Sequence, residues 1–204
     1  MMKKYGREFI TFPDVTVMVI IFAVMLGFTI PNLYDWRVWA AIGVGMMTYA
    51  ISEYMIHRFL FHIKKPKNPF LLKLIKRLHY DHHVDPDNVK LLFLPLWFSF
   101  PNFIILVGIC YAITGNLNLT MGFATGVIGY FLYYEWKHFV AHKPIQPVTK
   151  MGKQIKKSHL WHHYKNENYW FGVTHRAVDK TMGTYRDHKE VEKSDTARDL
   201  EKRA

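Results

Sequence analysis

Thiols and negative charge are scarce in this 204-residue chain, and over one long stretch charge of either sign is missing. The single cysteine, Cys110, excludes an internal disulfide and a thiolate metal site, and it leaves the redox compartment open. Acidic residues number 16 against 27 Lys and Arg, a formal charge of +11. That balance suits nucleic acid or an anionic membrane, and because the cations flank apolar segments the membrane is the better partner and nucleic acid is not expected. From Leu91 to Tyr134 no Asp, Glu, Lys or Arg occurs, a run of 44 residues that is long enough to cross a bilayer twice. The first apolar stretch lacks a small-residue cleavage site, so it is expected to be a retained span rather than a removed leader.

What is present divides into four apolar segments. A helix needs about 20 residues to cross a hydrocarbon core, and residues 9–30, 36–56, 91–113 and 119–135 supply that length or nearly so. Pro31 to Asp35 and Thr114 to Asn118 read as tight turns, and Pro95 and Pro101 should bend or delay the third span. No Lys or Arg falls in these two turns and only Arg37 lies close to one, so the positive-inside rule places both termini in the cytoplasm. The expected fold is therefore an all-α integral membrane protein, a single domain over 1–204, with four transmembrane helices in two hairpins and a cytoplasmic, histidine-rich cap of short helices. The cap would comprise 57–90 and 136–186. Phe70, Leu71, Leu74, Ile75 and Leu78 recur at helical spacing opposite Lys73, Lys76 and Arg77, which predicts a basic interfacial helix; Met151 to His163 has a similar design. The charged stretch from Asp187 to Ala204 is expected to be disordered.

Ten of the 12 histidines stand in four clusters: His57 and His62; His79, His82 and His83; His138 and His142; His159, His162 and His163. All fall on the cytoplasmic side of the expected topology. The clusters repeat. His62 to His79 spans 17 positions, as does His142 to His159, and Ile75 to His83 aligns without gaps with Ile155 to His163, 80 positions on. Residues three and four apart share a helix face, so each triplet can present its imidazoles together. His57 and His62, five apart, would diverge by about 140° on an ideal helix, so the helix must bend, end or straddle the site. Imidazole suits iron, zinc, copper or nickel, and ten of them fit two ions rather than one. Neutral ligands leave the metal charge uncompensated, and Glu53, Glu135, Asp81 and Asp179 are candidate carboxylates for the distal N–H groups.

HRFLFH at 57–62, HYDHH at 79–83, the His138/His142 pair and HLWHH at 159–163 resemble the four histidine boxes of the fatty acid hydroxylase and sterol desaturase superfamily, in particular the fatty acid 2-hydroxylases. The resemblance covers roughly residues 50–185 and includes Phe171 to Thr174 and Asp179. It implies that the ten clustered histidines hold two metal ions, functionally iron though zinc is sometimes found. It further implies that this centre uses dioxygen and external electrons to hydroxylate the carbon next to an acyl carbonyl. His175 and His188 match no ligand position. The eight residues before the first span leave no room for an N-terminal cytochrome domain, so a separate cytochrome or ferredoxin reductant is expected. The implied setting is a multi-pass membrane protein, of the inner membrane in a bacterium or the endoplasmic reticulum in a eukaryote.

The lipid substrate would enter between spans, past aromatics such as Trp97, Phe98, Phe131 and Tyr134, which equally fit ordinary lipid-facing positions. Lys64, Lys65, Lys67, Lys156 and Lys157 are candidates for an acidic head group or an acidic electron donor. The rival within the superfamily is a carotenoid-ring hydroxylase, with a lipid desaturase behind it. From another class, a histidine-rich metal transporter would need polar or ionisable residues at mid-span, whereas here the histidines gather at one cytoplasmic level.

Overall fold

The structure, a computed structural model, describes residues 2–203, with side chains from Lys3 to Arg203. The described residues are all-helical, with no strand. They fall into two compact units: the residues up to Ala50 with Leu94–Glu135, and Ile51–Phe93 with those from Trp136 on.

In the first unit the helices are α1 (Met2–Ile10), α2 (Pro13–Thr29) and the start of α3 (Trp36–Ile56). The expected opening span at residue 9 in fact begins at Pro13. Proline lacks the N–H that would continue α1 and its fixed φ suits a first helical position. The third span is likewise delayed. A short α6 (Val89–Leu92), which belongs to the second unit, precedes α7 (Leu96–Thr114), which starts after Pro95 and stops at Gly115, held at φ +57°. α7 borrows its N-terminal partner from elsewhere: Asp14 accepts from the Leu96 N–H at 3.0 Å, while Glu135 accepts from the Leu94 N–H at 3.1 Å. α8 (Leu117–His142) outruns the expected end at 135, so His138 and His142 ride on its last turns.

α3 and α8 approach through glycine. A Cβ at Gly126 would lie 2.1 Å from the Ile42 carbonyl oxygen, and one at Gly45 would lie 2.2 Å from that of Phe123. Backbones this close need small residues at the seam, the device that lets apolar helices associate in lipid. Beside the seam, Tyr49 packs against Phe103, Phe131 and Tyr134 with ring centroids 5.7–6.1 Å apart. Pro13–Asn32 and Val89–Thr114 are long and apolar enough to cross a membrane by length and composition. α3 is as long, but it carries Arg37 and Glu53 and is rich in Gly, Ser, Thr and Tyr.

The second unit begins at the end of α3, where the helix widens into a π turn over His57–Phe61. Then come α4 (Pro69–Ile75), a second π turn over Lys76–Tyr80 and α5 (Asp81–Val84). Asn68 caps α4 by accepting from the N–H groups of Phe70 and Leu71. α9 (Lys150–Tyr164) is capped by Thr149, and α10 (Ala177–Thr181) follows a long loop. Lys156 is not available as an anion receptor: its Nζ donates to the carbonyls of Val140, Lys143 and Ile145 and so closes the C-terminus of α8.

The C-terminal stretch departs from expectation. Rather than lying free, residues 194–203 are docked, because Ala197 and Leu200 are buried and the neighbouring charges find partners. Leu200, fully buried, packs with Ile75 and Tyr80. Ala204 lies outside the described residues.

Candidate metal centre

All ten clustered histidines lie in the second unit and are at most 7% exposed. They form two groups of five in which one nitrogen from each ring lies within 4.8 Å of the others: His57, His62, His79, His83 and His162; and His82, His138, His142, His159 and His163. The groups do not follow the sequence halves. His162 crosses into the first group and His82 into the second, and these two are the aligned members of the repeat, 80 positions apart. Helix geometry accounts for the exchange. Neighbours at i and i+1 diverge by about 100°, so His82 and His83 cannot face one point, and in H-x-x-H-H one ring must look toward the partner triplet. The groups meet where His83 and His163 stack, with centroids 4.1 Å apart.

The five-residue gap between His57 and His62 is resolved by the π turn. An i→i+5 hydrogen bond closes one turn over five residues and brings both rings to one side. Their Nε2 atoms stand 3.1 and 2.9 Å from Nε2 of His79, which is also 3.0 Å from that of His83. In the second group the corresponding distances are 3.0 Å for His82 to His138 and 2.8 Å for His142 to His159. Nitrogens bound about 2.0–2.1 Å from a common ion at right angles are about 2.9 Å apart, so donor type and spacing both fit a transition metal in each group.

Burial keeps these imidazoles neutral. It pushes His57 down to about 4 and His83 and His138 to about 3, and it holds the others well below the usual histidine range. Repulsion from neighbouring rings adds to the effect, as His162 does at His62. A neutral ring keeps a lone pair for a metal.

Which nitrogen carries the proton is set by backbone carbonyls. Nδ1 of His57 faces the Phe171 oxygen at 2.5 Å, that of His162 faces Tyr169 at 2.7 Å, and that of His83 faces Ala197 at 2.7 Å. A carbonyl only accepts, so each Nδ1 donates and each Nε2 is left as the ligand. The expected carboxylate partners are used differently. Glu53 accepts from the N–H and hydroxyl of Thr174, and Asp179 accepts from the N–H groups of Phe171 and Gly172 and from the Thr184 hydroxyl. Glu135 holds Leu94, and Asp81 pairs with Lys76 at 3.5 Å. Asp179 thus acts at one remove, fixing the loop whose Phe171 carbonyl orients His57. Trp170, fully buried, opens that loop at φ +59°, a conformation bulky residues rarely adopt. Gly172 is required beside it: a Cβ there would lie 2.2 Å from the His175 carbonyl oxygen and 2.6 Å from Asp179 Oδ2. Gly172→Ala is expected to lower stability by about 1–3 kcal/mol, read as a fall in melting temperature.

The remaining sequence candidates separate. His175 and His188 lie outside both groups; His188 stacks on Trp161 at 4.3 Å. Trp97 lines an apolar groove of about 320 Å³ with Val17, Ile21 and Phe100, whereas Phe131 and Tyr134 are buried beside Tyr49. Lys65 is paired with Glu201. The orienting carbonyls have no signature in side-chain identity, and of the three bearers only Phe171 belongs to the motif residues, together with Asp179 that fixes its loop.

A family model described as fatty acid hydroxylase matches residues 42–184, a span that contains all ten histidines. The chain belongs to the fatty acid hydroxylase family. Within it, the ceramide very long chain fatty acid hydroxylase of Saccharomyces cerevisiae is 35% identical over 149 residues, 70% of this chain and 37% of that one. The dihydroceramide fatty acyl 2-hydroxylase FAH1 of Arabidopsis thaliana is 31% identical over 79% of this chain and 65% of its own length. The fatty acid 2-hydroxylase of Rattus norvegicus is 33% identical over 67% and 37%. The chain therefore spans less than two thirds of each of these fatty acid hydroxylases. Among solved structures, full-length scs7p, with only the hydroxylase domain visible, superposes with a TM-score of 0.79 at 25% identity, covering 88% of this chain and 67% of that one.

Proposed function

We propose that this chain is a membrane lipid hydroxylase, a dioxygen-dependent dimetal monooxygenase that places a hydroxyl group on C2 of a fatty acyl chain. The observation that carries the reading is the pair of buried five-histidine groups, each with donors spaced for one transition ion. His57, His62, His79, His83 and His162 would hold one ion, and His82, His138, His142, His159 and His163 the other. Two iron ions there would supply dioxygen activation, with electrons from a separate cytochrome or ferredoxin; zinc fits the same donors. The chain's own part is to orient the imidazoles through the carbonyls of Phe171, Tyr169 and Ala197 and to keep water out, since every ring is buried.

The same reading takes α2, α3, α7 and α8 as far as Glu135 as four spans in two hairpins, with the histidine-rich cap, which includes the last turns of α8, and both termini cytoplasmic. Supporting it are the lengths of α3 and α8, 21 and 26 residues, the glycine seam between them, and the near absence of cations from the two turns. The relatives named for fatty acyl and ceramide substrates favour an acyl chain over a carotenoid ring. Lipid mass spectrometry of cells expressing the chain with a reductant should reveal 2-hydroxy acyl lipids that are missing without it. A hydroxylated carotenoid would reassign the substrate, and an unchanged lipid profile in iron-loaded cells would remove the hydroxylase reading.

A further inference from the structure

The two histidine groups differ in how their rings are held. In the first, Nδ1 of His57, His83 and His162 each donates to a backbone carbonyl. In the second, Nδ1 of His82, His142, His159 and His163 has no protein partner among the described residues. One of the three carbonyls, that of Ala197, comes from the C-terminal stretch. The same stretch grips two of the helical segments that carry first-group ligands, the third being α9 with His162. Arg203 Nη1 donates to the His62 carbonyl at 3.0 Å, at the end of the first π turn. Arg198 donates to the carbonyls of His83 and Val84 at 3.0 and 2.7 Å, at the end of α5. Between them, Leu200 is buried against Ile75 and Tyr80, and Glu201 bridges Lys65 and Lys76 at 2.9 and 2.6 Å. At its far end Arg203 also donates to Asn168 Oδ1 at 2.9 Å, and Thr196 donates to the buried Glu167 at 2.6 Å.

We propose that residues 194–203 form a clasp that positions His62 and His83 and thereby makes the first group of five histidines the tighter of two unequal metal sites. The inference rests on reading the two groups as metal sites. A carbonyl on the distal N–H fixes tautomer and ring orientation and strengthens the ligand, and losing such a partner weakens metal binding about 10–100-fold. A site with three fixed rings is preorganised, whereas one whose rings must be ordered on binding is penalised by that ordering. Arg203 and Glu201 are positioning residues: Arg203 holds the His62 carbonyl and lies 3.4 Å from the His62 Nδ1, and neither supplies a ligand itself.

The test loads the purified full chain with Co²⁺, withdraws the ion with graded chelator and follows both bound Co²⁺ per chain and the visible spectrum. The unaltered chain should release one ion well before the other, and His57→Ala should abolish the retained class. Arg203→Ala should weaken that class on the order of 10-fold and leave the easily lost ion unchanged, with Arg203→Lys recovering part of the loss. Glu201→Gln, which removes only surface ion pairs, should produce a smaller shift in the same class and decides the matter should Arg203→Ala fail to fold. Release of both ions at one chelator concentration, or retained-ion affinity untouched by both Arg203→Ala and Glu201→Gln, overturns the clasp while the two-metal reading stands. Fewer than two ions bound by the unaltered chain would instead overturn the two-metal reading itself.

Discussion

His82→Ala is expected to cost the protein the ion of the second group and to leave that of the first, although His82 lies on the same short helix as its neighbour His83 and three residues from His79. The crossing of His82 and His162 between groups makes this result specific. Had ligands sorted by sequence half, His82→Ala and His57→Ala would damage one site and their combination would leave one ion bound. With the observed sorting, the combination strikes both groups and should leave none, whereas His82→Ala with His142→Ala strikes one group twice and should still leave one. Metal-to-protein ratios on the two double variants decide between these outcomes. Formation of 2-hydroxy product should fall at least ~100-fold for either single variant at the crossing positions, because losing a ligand costs more than losing its outer partner, itself worth about 10–100-fold. Activity near that of the unaltered chain in His82→Ala would show that the second group has no part in the reaction.

The second large effect lies in the first unit. Gly126→Ala adds one carbon where the Ile42 carbonyl oxygen is 2.1 Å away and Ile42 C is 2.9 Å away. The obstacle is backbone, so no side chain can rotate aside and α3 must move from α8. A cost of about 3 kcal/mol or more is expected, the upper range for overpacking, with a melting temperature lower by about 6–12 °C for a chain of this length. Gly43→Ala in α3 is the internal control. Nothing lies within 4 Å of its added carbon, and helix propensity alone should make it neutral or up to about 1 kcal/mol stabilising. Equal melting of the two variants would mean that the helices do not meet through glycine.

Much of this architecture is legible in the sequence because it follows from period and spacing. α3 runs from Trp36 to Ile56 as the apolar pattern predicts, and the ten histidines recognised as four repeating clusters are the ten that converge. The five-residue gap in HRFLFH announced an irregularity, and the π turn is that irregularity. The partition into groups was also within reach, since adjacent His82 and His83 diverge on any helix, but treating each triplet as one face concealed it. Other features had no readable signal. Backbone carbonyls serve any residue type, so the roles of Phe171, Tyr169 and Ala197 are invisible until the chain is folded. The docking of the last stretch is not legible because charge dominates its composition, while the docking depends on a few apolar residues, Leu200 foremost, and on pairing of Glu201 with lysines more than 100 positions away.

The exchange of one ring between triplets has a further consequence for assembly. Neither half of the polypeptide owns a complete set of five, so an ion held by either group would tie an early segment to a late one like a rivet through two plates. Filling either position should therefore shield the whole cap from proteases, and cells starved of metal should accumulate a polypeptide that is cleaved within its cytoplasmic cap rather than an idle but intact protein.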